Sequence, residues 1–294
     1  MSTLFDTFLM KINKLSPDTH DFLQIASGIA KTPKSLYFIG KIPETRQPTV
    51  AIVGSRKPTA YGKEVTYRLA YDLAARGIII TSGLALGVDA IAHQAALDAD
   101  GTTLAVLGNG LSRIYPATNI KLAGAIAASG GALISEYSPD TPARSFQFLE
   151  RNRIVSALSD AVLITEAASR SGTLNTAAHA LEQGRTVFVV PGNITSVMSA
   201  GCNQLLKQGA TPVTCADDII DIIAPNLANS QSSLPLGNTP EETKILELLQ
   251  AGIRDGDELQ RKSSIEPSVF SVTLTMLELN GVIRALGANQ WTLR

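Results

Sequence analysis

Thr49-Val50-Ala51-Ile52-Val53-Gly54-Ser55-Arg56 is the stretch on which the fold turns. An unbroken apolar and β-branched run stops at a glycine, and a hydroxyl and two cations (Arg56, Lys57) follow before helical spacing sets in at Tyr61-Gly62. A continuous run of this length predicts a strand buried on both faces, as parallel sheets require. The change from strand to small or cationic loop to helix is where open α/β sheets bind phosphate-bearing ligands.

Working outward, the same alternation repeats. Further strands are predicted at Gly77–Thr81, Thr102–Leu107, Ala132–Ser135, Ala161–Thr165, Thr186–Val190 and Thr211–Thr214, with helical three-to-four spacing between them, as in Gly62–Arg76 and Thr173–Gln183. Strands alternating with helices imply right-handed crossovers and an α/β, Rossmann-like, doubly wound, mostly parallel sheet. Residues 1–46 read as a short helical or irregular extension, with Pro33 and Pro43 as breakers, and 47–224 as the sheet domain. Residues 225–240, rich in Asn, Ser, Pro and Gly, read as a linker. From Pro240-Glu241-Glu242 to Leu293, three short helices and a hairpin describe a small C-terminal winged-helix domain over 241–294.

Composition narrows the function classes. With 45% hydrophobic and 17% charged residues and a net charge of −1, the chain is an ordinary globular protein and not a uniformly basic nucleic-acid binder, so any such site is a local patch. Two cysteines, Cys202 and Cys215, form no CxxC pair, which excludes a disulfide framework or zinc cluster and favours a reducing cytosol. Asp6, Lys11 and Lys14 interrupt Met1–Leu15, so it lacks a signal peptide's apolar centre, and no run approaches the roughly 18 apolar residues of a membrane span.

The loops at the predicted strand ends carry the chemistry. Gly54 lets backbone approach a ligand, and Arg56 supplies a forked donor or caps a neighbouring carbonyl. Asp89 and His93, at i and i+4, could form an acid/base pair or half a metal site. With no third ligand at suitable spacing, the preferred assignment is a carboxylate satisfying local amides and oriented by His93. In Gly108-Asn109-Gly110-Leu111-Ser112-Arg113-Ile114-Tyr115-Pro116, Arg113 can meet phosphate and Tyr115 can stack or donate, or the loop is simply rigid.

Arg144-Ser145-Phe146-Gln147-Phe148-Leu149-Glu150-Arg151-Asn152-Arg153 interleaves three arginines with two rings, the pairing that unpaired nucleic acid asks for. Phe146 is the stacking candidate and Phe148 the core candidate, while Arg151 and Arg153 contact ligand or pair with Glu136 and Glu166. Arg170, Ser171 and Gly172, ahead of Thr173, resemble a phosphate cradle without the GK[ST] ending of a triphosphate-hydrolysing loop. Lys207 is the last cation on this edge, or else a helix C-terminal lysine favouring the dipole.

Taken in order, these motifs resemble the DNA-processing protein A family (DprA, also called Smf). The resemblance runs from Leu36-Tyr37-Phe38-Ile39-Gly40 through Gly54-Ser55-Arg56, Ser82-Gly83-Leu84-Ala85 with Asp89 and His93, Tyr115-Pro116 with Asn119, Ser135-Glu136-Tyr137, Arg151-Asn152-Arg153, Ser171-Gly172-Thr173 with Thr176-Ala177, and Asn203 through Ala210, to about Ile223. Leu149 departs from a usual proline and Val88 from a usual isoleucine, and the sterile-alpha-motif-like domain of many members is cut short. The resemblance implies a cytoplasmic protein that binds and shields single-stranded DNA and helps load RecA recombinase during natural transformation. It implies no catalysis and no cofactor or metal. Arg56, Arg151, Arg153, Arg170 and Lys207 would line the DNA pocket, and helices of the same domain would provide a homodimer surface and the RecA contact.

The alternative is a nucleoside-monophosphate phosphoribohydrolase of the lysine-decarboxylase-like family, whose glycine-rich loop ends in a catalytic glutamate. The corresponding stretch here, Ser171 to Thr176, ends in threonine, which cannot replace a carboxylate. A transcription regulator reading duplex DNA through the winged helix is also disfavoured. Its third helix contains Glu278 and no lysine or arginine, and residues 241–294 hold six basic against eight acidic side chains.

Overall fold

Strand β3, Thr49–Val53, lies inside the nine-stranded sheet that the described residues form, next to its middle strand, and is fully buried. Its side chains alternate between two apolar layers. Ala51 and Val53 face a core with Ile154, Val155 and Ala177, and Val50 and Ile52 face one with Leu69, Leu73, Ala92 and Ala95. That two-sided burial is what the unbroken apolar run encodes. The computed structural model describes residues 11–228, 239–287 and 289–293, and the chain divides into two units after Ala228.

In the first unit the strands are β1 (Asn13–Leu15), β2 (Leu36–Gly40), β3, β4 (Ile79–Ser82), β5 (Thr103–Leu107), β6 (Ala132–Ser135), β7 (Ala161–Ile164), β8 (Thr186–Val189) and β9 (Thr211–Pro212). The helices are α1 (Ala60–Ala75), α2 (Val88–Asp98), α3 (Ile120–Ala128), α4 (Ser145–Ala157), α5 (Thr173–Glu182), α6 (Ala200–Lys207), α7 (Asp217–Ile223) and α8 (Pro225–Ala228). The order across the sheet is β1-β2-β6-β5-β4-β3-β7-β8-β9. From β6 to β9 all neighbours are parallel, in the register Val50↔Ala161 and Thr49↔Ile79 at the centre. The chain winds outward from β3 to β6 on one side and then restarts at β7 on the other. The loops after β3 and β7 therefore diverge over a crevice, the topological switch point.

The extension read as helical or irregular contributes two strands to this sheet. β2 pairs antiparallel with β6, Tyr37↔Ser135 to Gly40↔Ala132, and β1 pairs with β2 at the edge. Leu36, Phe22 and Leu23 are wholly buried, so this segment belongs to the core. Gly40 makes the junction possible: with φ at +95°, a Cβ there would stand 2.3 Å from the Gly131 carbonyl oxygen. Between the two strands the chain forms short 3₁₀ turns, at Pro17–Thr19 and Gln24–Gly28, and no α-helix.

The second unit comprises α9 (Pro240–Gln250), α10 (Gly256–Ser263) and α11 (Pro267–Leu279), then the antiparallel hairpin β10 (Ile283–Gly287) and β11 (Gln290–Leu293). Each helix begins on a side-chain cap: Thr239 Oγ1 accepts from the Glu242 N–H, Asp255 from Asp257 and Glu258, and Glu266 from Ser268 and Val269. Leu246, Leu249, Leu259, Phe270, Leu277 and Ile283 pack its core. Three helices and a wing form a winged helix. Of the expected linker, Pro225–Ala228 is the helix α8, and 229–238 lies outside the described residues.

Candidate nucleic-acid interface

Ser55 joins the two loops of the switch point by donating its N–H to the Glu166 carbonyl at 2.8 Å. The approach is close enough to require glycine at 54, where a Cβ would meet Val88 Cγ2 at 2.7 Å and Glu166 O at 2.9 Å. Glu166 then anchors the next helix. Its carboxylate accepts from the Thr59 N–H at 2.8 Å and from Thr59 Oγ1 at 2.5 Å, while Thr59 Oγ1 caps α1 at Gly62. Glu166 is thus an internal brace, and it pairs with neither Arg151 nor Arg153.

Above this junction lies a cavity of about 410 Å³, in the range of small-ligand sites. Its wall takes Gly54, Ser55 and Arg56 from the β3 loop, Ala85 and Asp89 from the β4 loop and α2, and Phe148, Leu149, Arg151 and Asn152 from α4. From the β7 side it takes Arg170, Ser171 and Gly172 with Thr173 and Thr176 of α5, and Met198 completes it. Arg56 and Arg170 are exposed and make no ion pair among the described residues. Ser171 organises the start of α5, its Oγ accepting from the Thr173 N–H at 3.2 Å and donating to Thr173 Oγ1 at 2.9 Å. Gly172 is exposed, and the nearest atom to a Cβ built on it is Leu149 Cδ2 at 3.7 Å. The wall combines two guanidiniums without a carboxylate partner among the described residues with small and hydroxyl residues at a helix start, which suits an anionic polymer.

Arg151 lines the same wall but is only 4% exposed. Its Nη1 donates to the carbonyls of Gly83, at 2.6 Å, and Val106, tying the ends of β4 and β5 together. Burial lowers its pKa to about 10, with the Asp89 charge opposing that fall and Arg56 adding to it, so it remains protonated at neutral pH. Asp89 is buried too, which raises its pKa, while Arg151 and the N–H groups of Ala85 and Gly83 act in the other direction. Gly83 is required by this packing, since a Cβ there would lie 2.3 Å from Arg151 Nη1.

Several expected residues are elsewhere. Arg153 is buried and held by Glu136 in an ion pair, away from the cavity. Two residues apart on a helix point about 200° from each other, so α4 cannot turn Arg151 and Arg153 to one ligand. The same rule separates the rings: Phe146 is 53% exposed and off the cavity wall, whereas Phe148, which shares a face with Arg151 and Asn152, forms part of it. That i, i+3, i+4 spacing was the available signal for Phe148. Arg144 precedes α4, its N–H donating to Gln147 Oε1 at 2.7 Å, with its side chain exposed and outside the cavity. Arg113 is exposed and also outside it.

Lys207 ends α6, whose start is fixed where the Gly201 N–H donates to Ala167 O at 2.8 Å. Six residues on, the helix has carried it about 9 Å along the axis, off the cavity wall. Nor does His93 orient Asp89. Asp89 Oδ2 accepts from the Gly83 N–H at 3.0 Å, whereas His93 Nδ1 meets Thr103 Oγ1 at 2.6 Å. Thr103 Oγ1 donates to Ile80 O at 2.8 Å, so His93 carries its proton on Nδ1 as a neutral ring. Burial, with Arg151 nearby, lowers the His93 pKa to about 3. At the place of the phosphoribohydrolase glutamate stands Thr176, which is buried and carries no carboxylate.

Comparison with known proteins fits this geometry. The family model for DNA recombination-mediator protein A matches residues 14–224, and the model for the DprA winged helix domain matches 229–289. The chain belongs to the DprA/Smf family. Protein Smf of Escherichia coli is 46% identical over 189 residues, covering 64% of this chain and 50% of that protein. The DNA processing protein DprA of Bacillus subtilis is 42% identical over 172 residues, 58% of either chain. The chain thus spans about half the length of these curated relatives. Among solved structures, DprA of Streptococcus pneumoniae superposes with a TM-score of 0.64 at 34% identity, covering 76% of this chain and 77% of that one. DprA of Helicobacter pylori, whose structure concerns its single-stranded DNA binding mode, gives 0.64 at 34% identity over 74% of this chain and 98% of that one. No helix among the described residues is long and apolar enough to cross a membrane.

Proposed function

We propose that this protein binds single-stranded DNA at the β3–β7 switch point, shields it, and delivers it to RecA recombinase in the cytoplasm during natural transformation, without catalysis. The observation that carries the reading is the pair of unpaired guanidiniums, Arg56 and Arg170, flanking one cavity above a floor of small residues. Guanidiniums hold phosphates by forked hydrogen bonds and charge, and the adjoining Phe148 supplies the flat apolar surface that unpaired bases use. The H. pylori relative, described for its single-strand binding mode, supports the same ligand. A duplex presents its bases paired and stacked, and a cavity of about 410 Å³ fits a nucleotide unit better than a groove-width surface.

Two exposed cations per cavity are few for a protein of net charge −1. Homodimerisation would bring two such sites onto one strand and raise avidity without new contacts. In this reading the winged helix meets protein and not duplex DNA, because α11 offers phosphates no cation while Val269, Val272, Met276 and Leu279 are exposed on it. The decisive experiment is a salt-dependent binding assay comparing single and double strands with the full chain and Arg56→Ala. A single-strand preference that drops several-fold in the variant is expected. Equal affinity for both forms, or an unaltered variant, would refute the reading, as would release of free base from nucleoside monophosphates.

A further inference from the structure

The cavity wall does not end at Phe148. The Tyr115 ring stacks on it, with centroids 5.4 Å apart and planes 28° from parallel, and Arg56 Cζ stands 5.8 Å from the centroid of the same Phe148 ring. Gly108 closes on its edge, so that a Cβ there would meet Phe148 Cδ1 at 2.7 Å. Phe148, half-buried on the cavity wall, is thus already flanked by a ring, a guanidinium and backbone. Tyr115 is the open member of this group, 51% exposed.

The β5 loop holds that ring in place before any ligand arrives. Asn109 Nδ2 donates to the carbonyls of Gly110 at 2.9 Å and Arg113 at 2.7 Å. The N–H groups of Gly110 and Ser112 donate to Thr141 O and Pro139 O, both at 2.9 Å. A platform fixed in this way loses little freedom on binding. Arg113, two residues before Tyr115, is exposed, and its guanidinium has no hydrogen-bond or ion-pair partner among the described residues. Two residues span at most about 7 Å of backbone, so a strand lying over the ring passes within reach of the long Arg113 side chain. The cavity uses neither.

We propose that Tyr115 and Arg113 form a second nucleotide subsite outside the cavity, in which the phenol ring carries an unpaired base and the guanidinium the adjoining phosphate. The subsite rests on the single-strand reading above and extends it: the strand leaves the cavity past Phe148 and continues over the β5 loop. Stacking on a flat ring tolerates any base, so this subsite lengthens the footprint without adding a sequence code.

The test follows labelled oligothymidine by fluorescence anisotropy with the full chain. Tyr115→Ala is expected to weaken binding about tenfold and Tyr115→Phe less than about twofold, since only the ring matters. Arg113→Ala is expected to lower the slope of log affinity against log salt by about 0.7, the share of one phosphate on a single strand. Thermal unfolding of each variant checks that the loop still folds. A direct reporter removes the dependence on Ala: Trp291 is the single tryptophan, so Tyr115→Trp in a Trp291→Phe background gives one indole at the subsite. Its emission should be quenched by oligothymidine and unmoved by a strand of abasic sugars bound to the same protein. If Arg56→Ala loses binding while Tyr115→Ala binds like the parent and the indole is not quenched, the subsite is overturned and the single-strand reading stands. If the unmodified protein holds no single strand, both fall.

Discussion

Arg56 and Arg170 stand at the open rim of the switch point, while Arg151 and Arg153 lie a layer below on α4, and the two pairs have different partners. The rim guanidiniums are exposed and unpaired by carboxylates, whereas those below are 4% and 6% exposed and committed to backbone carbonyls and to Glu136. Depth, and not residue type, separates the guanidiniums proposed to meet the ligand from the structural struts. A charge in the lower layer is costly to leave alone and so holds the loops together, and a charge on the rim costs little to leave free and so remains available.

The sharpest way to break this contrast is to remove a partner below. Glu136→Ala strands the buried Arg153 and should cost about 3–5 kcal/mol of stability in urea unfolding. A variant as stable as the parent would mean that Arg153 reaches solvent or ligand. The Arg56→Ala/Arg170→Ala double variant should do the reverse, losing about 2–3 kcal/mol of single-strand affinity, each guanidinium contributing a charge-assisted contact, with an unaltered melting temperature. Overlapping titrations of double variant and parent would move the site off this rim.

Gly83→Ala probes the joint between the layers. It forces a methyl against the Arg151 guanidinium and should destabilise by about 1–3 kcal/mol, read by thermal melting, with affinity falling only as the fold does. The last effect is graded and set by pH. His93 is neutral and buried, with a pKa lowered to about 3 from an ordinary 6.5, so its contribution is complete above about pH 6.5 and is lost as pH falls toward 3. Stability should decline by up to about 1.4 kcal/mol per unit across that window, and His93→Gln should flatten the decline in urea titrations at pH 7, 6 and 5.

Much of the sheet could be read directly. Thr49–Val53 and Ala132–Ser135 are continuous apolar runs bounded by small or polar residues, and in the structure they occupy those same residues. In the second unit, the helix Pro267–Leu279 has its start encoded locally, with Glu266 accepting from the Ser268 and Val269 N–H groups and proline in the first turn. β2 was harder, because Leu36-Tyr37-Phe38-Ile39-Gly40 lies among prolines and joins the sheet by an antiparallel pairing with β6, almost a hundred residues on, which no local pattern announces. At the site, sequence supplied the loops and their order but not depth. Arg151 and Arg153, or Phe146 and Phe148, look alike on the page. Only the angle between alternate residues of α4, set against a sheet already in place, sends one of each pair to the cavity.

Among the described residues the sheet also ends abruptly on both flanks. β1 has three residues and carries Lys14, and β9 has two and includes Pro212. Such clipped borders give a neighbouring chain no ladder to extend. Were molecules to crowd side by side on a bound strand as proposed, these borders would disfavour their knitting into fibrils through their backbones.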